Sequence, residues 1–223
     1  INNPLAAIFG YAQLLLKKKR DDDAEIASLK RIEEGARRCQ EITSNLLRFS
    51  QRGREGRGKV DLAHLVQESI ALIQSTIEGS GVRLETDLAA DLPSVEGQSG
   101  QLSLVLRNLL SNAVQAMPSG GLVRVRGFAK EGGAQIEISD AGVGIPAEIL
   151  PRVFEPFFTT KKVWTGVGLG LSVAFRVVRD HGGQISIESD PGRGTVVRVF
   201  LPMHSFGAAK VVATAPSTSV TLG

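Results

Sequence analysis

Two glycine clusters flank an aromatic run: ISDAGVGIP over Ile138–Pro146, FEPFFTTK over Phe154–Lys161, and GVGLGL over Gly166–Leu171. The fold reading turns on this stretch. Ile136 and Ile138 alternate with Glu137 and Ser139, which is the period of a strand. Asp140 stands where that strand runs out, and Gly142 and Gly144 allow a tight turn and a close backbone approach. Taken alone, a glycine turn after a strand fits an ordinary hairpin as well as a ligand loop.

The neighbouring segments favour the ligand loop. Upstream, LRNLLSNAVQAM (106–117) has a helical period and places Asn108 and Asn112 four residues apart, both amides on one face. Downstream, Gly166, Gly168 and Gly170, with Leu169 among them, lead into SVAFRVVRDHGG, which reads as a helix. The free N–H groups and positive dipole end of such a helix start suit phosphate. Two amides, an acid and a glycine-rich helix start, in that order, make a nucleotide site. These boxes resemble the catalytic domain of bacterial sensor histidine kinases.

Composition sets bounds on the chain. Its 223 residues suffice for one large domain or two modest ones, and a net charge of +3 implies no strong nucleic-acid field. One cysteine, Cys39, excludes an internal disulfide framework and fits a reducing compartment. No apolar run approaches the roughly 20 residues needed to cross a bilayer. A cytoplasmic piece without direct membrane contact is expected, any anchor lying in segments upstream of it.

The front of the chain has a different pattern. Ile1, Leu5, Ile8, Ala12 and Leu15 are spaced as a heptad seam, and Leu29, Ile32, Ala36, Cys39, Thr43, Leu46 and Phe49 trace a second one. Between them, Lys17–Arg20 and Asp21–Asp23 complement the dipoles of the helix that ends and the helix that begins, as a solvated hairpin tip does. Two amphipathic helices need a partner to bury their seams, and the simplest solution is a homodimer forming a four-helix bundle. QRGREGRGK (51–59) lacks periodicity and reads as a flexible hinge. From Val60, helices and strands alternate. The expected fold class is α+β: a helical hairpin (1–50), a linker (51–59), an α/β sandwich with helices on one face of a mixed sheet (60–203), and a tail (204–223).

INNPLAAI (1–8) resembles the dimerisation and phosphoacceptor motif of the same kinase family, in which His and Glu immediately precede such a stretch. His64, His181 and His204 lack that context, so structural roles are expected for them. The chain is expected to be a fragment whose phosphoacceptor lies just ahead of Ile1. The resemblance makes Asn3 the residue that orients water for dephosphorylation of a response-regulator partner.

The resemblance also implies ATP with Mg²⁺ as substrate. Asp140 would accept the exocyclic amine of adenine, and Gly142 and Gly144 would lie against the base. Asn112 would hold Mg²⁺ through its amide oxygen, and Asn108 would reach the phosphates or the ion's hydration shell. Val153–Gly166 would form a lid carrying Lys161 as a phosphate contact, with Phe154, Phe157 and Phe158 as packing anchors and Trp164 as a reporter. Val167 departs from the family pattern, which has threonine there, and loses a hydroxyl. Related ATPases carry glutamate in place of Asn108, where it serves as a general base, so asparagine favours transfer to histidine over hydrolysis. A catalytically silent ATP-binding dimeric scaffold is the second reading.

Overall fold

The structure, a computed structural model, describes residues 56–160 and 168–204 together with scattered helical positions between Ile8 and Ala36. At those front positions Ala12 and Ala36 are buried, and the Gln13 amide donates to Glu33 Oε1 at 2.9 Å, so the two helical segments lie against each other. Ile8, Leu15 and Ile32 stay 46–49% exposed.

The rest of the described chain forms strand β1 (Gly58–Val60), helices α1 (Leu62–Ala71) and α2 (Gln74–Glu78), strands β2 (Val82–Leu88) and β3 (Val95–Gly97), and helix α3 (Ser99–Gln115). Strands β4 (Gly121–Lys130) and β5 (Gly133–Asp140), helix α4 (Gly170–Asp180), and strands β6 (Gln184–Asp190) and β7 (Gly194–Pro202) complete it. Five strands form one mixed sheet in the order β2-β4-β5-β7-β6, in which only β2 and β4 are parallel. That is the expected mixed sheet. The parallel pair is possible because the crossover from β2 to β4 carries α3 across the sheet.

Alternation divides the two faces of this sheet. Val123, Val125, Ile136, Ile138, Val197 and Val199 are buried against α1, α3 and α4, whose own core residues include Leu65, Leu106, Leu109 and Val178. On the opposite face charged side chains pair across strands. Arg124 meets Glu85 (3.1 Å), Arg126 meets Asp87 and Glu137 (3.8 and 3.7 Å), and Arg198 meets Glu137 and Glu188 (3.0 and 2.6 Å). Opposite charges directly across a ladder stabilise register modestly and keep the uncovered face in water.

Three details differ from the sequence reading. Gly58 and Lys59, read as the end of the hinge, belong to β1, which pairs antiparallel with β3. The helix expected to run through Ile73 stops at Ala71, and a separate turn resumes at Gln74; Ile73 and Ile77 both reach the core across that break. A 3₁₀ turn, Leu150–Arg152, comes just before the segment read as a lid. Strands of three residues and a helix break without Gly or Pro leave no mark in hydrophobic periodicity.

Candidate functional site

Asp140 is the last residue of β5, so the end of the sheet presents its carboxyl. Its Oδ1 accepts the Gly142 N–H at 2.9 Å. The carboxyl is half-buried, and desolvation pushes its pKa above the ordinary 3.8, partly offset by the backbone N–H groups of Gly142 and Thr195. A carboxyl held in partial desolvation at the end of a strand is a candidate functional group.

The loop after Asp140 is fastened on two sides. On one side the Val143 N–H donates to the Ala116 carbonyl at the C-cap of α3 (3.0 Å). On the other, the Ile145 N–H donates to Ser189 Oγ of β6 (2.8 Å) and the Gly192 N–H donates to the Val143 carbonyl (2.8 Å). A Cβ on Gly142 would come 2.5 Å from the Ala116 carbonyl oxygen, and one on Gly144, where φ is +69°, would collide with the Asp190 carbonyl. Both glycines were expected to let the backbone lie against a base. Their missing side chains also make room for neighbouring protein backbone, which gives them a structural necessity of their own.

Helix α3 begins at Gln98, its N-cap, and buries Leu102, Val105, Leu106, Leu109, Leu110, Ala113 and Val114 on the core side. Asn108 and Asn112 fall off that stripe and face α4. The Asn108 amide donates to the Gly170 carbonyl at 3.2 Å. A Cβ placed on Gly170 would sit 3.7 Å from both Asn108 Cγ and Asn112 Nδ2, so the start of α4 lies directly against the carboxamide pair. Among the described residues no side chain caps the N-terminus of α4, where Leu169 is the N-cap, and first-turn N–H groups point out of the helix end.

The structure therefore assembles two clusters, Asp140 with Gly142 and Gly144, and Asn108 and Asn112 with Leu169 and Gly170. One helix joins them: from Asn108 to Ala116, eight residues of helical rise span about 12 Å. Gly168 (φ +71°) lies where Phe157 folds back, the Phe157 N–H donating to its carbonyl at 3.0 Å. Phe154 packs on Phe175 with ring centroids 5.1 Å apart, and Arg152 sits 4.5 Å over the Phe158 ring. Phe157 does not pack as expected. It is 67% exposed and holds φ at +66°, the one positive-φ residue other than glycine among those described.

Asn3, Lys161 and Gly166 lie outside the described residues, as do Cys39, Trp164 and Val167. Among the described residues no group of three or more His, Cys, Asp or Glu side chains is arranged to hold a metal ion. A magnesium ion brought in by a triphosphate needs only one or two protein oxygens, and the amide of Asn112 suits that. Sequence reading missed the Ala116 carbonyl and the Thr195 N–H, because a backbone group carries no signature in residue type, and Ser189 Oγ, because it meets Ile145 from 44 residues away.

Comparison with known proteins agrees with this geometry. Residues 97–205 match the family described as histidine kinase-, DNA gyrase B-, and HSP90-like ATPase, and residues 1–55 match the His Kinase A (phospho-acceptor) domain. The sensor kinase CckA of Brucella abortus (strain 2308) is 34% identical over 216 residues, covering 90% of this chain and 23% of that protein. Full-length ShkA in complex with AMPPNP shares the fold with a TM-score of 0.72 at 24% identity, over 93% of this chain and 44% of that one. ThkA in complex with response regulator protein TrrA gives 0.68 at 24% identity, over 91% and 58%. The chain thus spans less than two thirds of the length of the curated relatives it matches. With a phospho-acceptor-type segment ahead of an ATPase-type domain, the chain belongs to the sensor histidine kinases.

Proposed function

We propose that this chain is the ATP-dependent core of a sensor histidine kinase, moving the γ-phosphoryl group of ATP to a histidine and from there to an aspartate of a response-regulator receiver domain. One observation carries the reading: a single helix, α3, sets two carboxamides against the start of α4 while its other end anchors the loop that bears Asp140.

The roles follow from chemistry. Ionised Asp140 accepts the exocyclic amine of adenine and repels guanine, which offers a carbonyl at that place. The first-turn N–H groups of α4, with Gly168 and Gly170 at its entry, meet the phosphates. Asn112 lends its amide oxygen to the Mg²⁺ that accompanies ATP, and Asn108 steadies Gly170 and the phosphates. Lys161 and Gly166 extend this contact from the lid.

In the transfer, a neutral imidazole nitrogen attacks the γ-phosphorus and the bond to the β–γ bridging oxygen breaks. ADP departs, and the ring loses its N–H proton to solvent. The Asn108 amide cannot take a proton from water, which disfavours simple hydrolysis. Asn3 orients the water that removes phosphate from the regulator.

The apolar positions Ile8, Leu15 and Ile32, half exposed while Ala12 and Ala36 are buried, fit a second copy completing a four-helix bundle. The proposed units are the hairpin (1–50), linker (51–59), nucleotide domain (60–203) and tail (204–223). No helix among the described residues is long and apolar enough to cross a membrane, in keeping with a cytoplasmic place for this core.

Calorimetry with Mg²⁺-ATP and Mg²⁺-GTP, followed by γ-labelled ATP given to protein carrying the histidine expected ahead of Ile1, tests the proposal. Adenine-selective binding and acid-labile label are expected. Binding without label would favour the silent scaffold, and equal affinity for GTP would defeat the role of Asp140.

A further inference from the structure

Helices α3 and α4 run antiparallel and are tied at both ends of their contact. At one end Asn108 meets the Gly170 carbonyl. At the other stands His181, the C-cap of α4, only 2% exposed. Its Nε2 receives the backbone N–H of Gln98, the N-cap of α3, at 3.0 Å. Its Nδ1 lies 2.8 Å from the Val177 carbonyl.

These two contacts fix the state of the ring. A carbonyl only accepts, so Nδ1 carries the hydrogen; a backbone N–H only donates, so Nε2 must offer a lone pair. A second proton would go onto Nε2 and set donor against donor. The ring cannot move aside into β3, because it fills the space beside Gly97: a Cβ there would come 2.8 Å from His181 Cδ2.

The charged groups around the ring come from two segments. Arg57, in the stretch leading into β1, donates to the Asp180 carbonyl at 2.7 Å, and Asp180 belongs to α4 itself. The junction of β3 and α3 faces the ring with the backbone of Gly97 and Gln98. Burial is the main cause holding the imidazole below its ordinary 6.5, and Arg57 adds to it; the Val177 carbonyl and Asp180 act in the opposite direction.

We infer that His181 is a positioning residue for the nucleotide site: its neutral ring pins the end of α4 to the start of α3, sets Gly170 against Asn108 and Asn112, and releases them when protonated. The inference rests on the nucleotide site proposed above. It gives the His-Gly-Gly segment a role 11 residues from the phosphate-facing end of its own helix.

Two variants and a spectroscopic titration test it. His181→Gln keeps an uncharged acceptor for the Gln98 N–H, whereas His181→Phe keeps a ring without one. As pH is lowered from 8 to below the ordinary 6.5 of imidazole, for as long as the chain stays folded, the affinity of the unaltered chain for Mg²⁺-ADP falls through His181, with Asp140 adding to the fall at the acid end. In His181→Gln the fall is smaller by about fivefold, the worth of one hydrogen bond. His181→Phe is expected to bind about fivefold more weakly already at pH 8. Identical pH profiles for His181→Gln and the parent would overturn the inference. So would full affinity in a folded His181→Phe.

Nitrogen NMR of the parent chain needs no nucleotide and no variant. The neutral ring should show the Nδ1-protonated tautomer, and the side-chain amides of Asn108 and Asn112 should shift with the same midpoint as His181. An Nε2-protonated ring, or asparagine amides that ignore the titration, would overturn it. If the chain bound no adenine nucleotide at any pH, the nucleotide-site reading would fail, and the NMR result would still judge the pin.

Discussion

The two ends of the proposed nucleotide site are built in opposite ways. The Asp140 end is enclosed by backbone, with α3 on one side and the β6–β7 corner on the other, leaving no room for a Cβ at Gly142 or Gly144. The other end rests on less. Among the described residues no side chain caps the start of α4, Phe157 stands exposed with φ at +66°, and Gly168, though it too leaves no room for a Cβ beside the Phe157–Phe158 backbone, is tied there by one described backbone bond. A base is the same throughout the reaction, so a prebuilt pocket for it costs nothing in turnover. In the proposed function the phosphates change position and number, so their end of the site needs fewer fixed contacts.

Substituting a glycine of the enclosed end puts this contrast under the heaviest load. Gly144→Ala forces a side chain into a left-handed backbone and onto the Asp190 carbonyl, and should lower folding stability by about 3–5 kcal/mol. Denaturant melts measure it. A loss under 1 kcal/mol would mean that this corner yields as readily as the lid.

The second prediction separates function from folding at Asp140. Because the folded carboxyl titrates above its ordinary 3.8, the folded state holds its proton more tightly than the unfolded chain. This group's contribution therefore falls as pH rises from 3.8 through the folded value, and ionised Asp140 opposes folding at pH 7. Asp140→Asn removes that cost while setting a donor toward the adenine amine. The variant should bind Mg²⁺-ATP more weakly by about 1.5–3 kcal/mol, roughly ten- to a hundredfold, and melt no lower than the parent. For the parent, nucleotide affinity should decline on the acid side at a pH above the ordinary carboxylate range. Calorimetry across pH and thermal melts check both halves; a variant that loses stability along with affinity would make Asp140 a structural residue.

Phe157 should show the smallest effect. Removing an exposed side chain from a left-handed backbone relieves strain of about 1–2 kcal/mol, and glycine's extra freedom in the unfolded chain returns part of it. Phe157→Gly should therefore raise stability by about 0.5 kcal/mol. A drop of 1 kcal/mol or more would show that the ring is packed and that the lid base is as firmly built as the Asp140 corner.

The main elements were legible in sequence. Alternation in VRLETDL, GLVRVRGFA and AQIEIS places the strands, and the asparagines of α3 stand out because polar residues at helical spacing interrupt a run of leucines. Elements too short to show a period escaped notice, namely β1, β3 and the 3₁₀ turn. The aromatic residues FEPFF read as a set of equals, yet Phe154 is stacked and Phe157 exposed. Their letters are the same, and only the local φ separates them. His181 read as a structural histidine, which its burial supports, but its partner Gln98 lies 83 residues away and donates through its backbone.

By itself, the sequence determined which chemical groups are present and in what order: an acid at a strand end, two carboxamides one helical turn apart, and glycines where the chain turns. Periodicity and side-chain type suffice for that, since both are local. Tertiary structure alone decided that Gly170 lies against Asn108 across 62 residues, that the Asp140 loop hangs on the Ala116 carbonyl, and that a buried imidazole joins two helix ends. Those facts depend on backbone groups meeting at distances that packing imposes. Every residue except proline carries the same N–H and carbonyl, so no residue type announces which of them will meet.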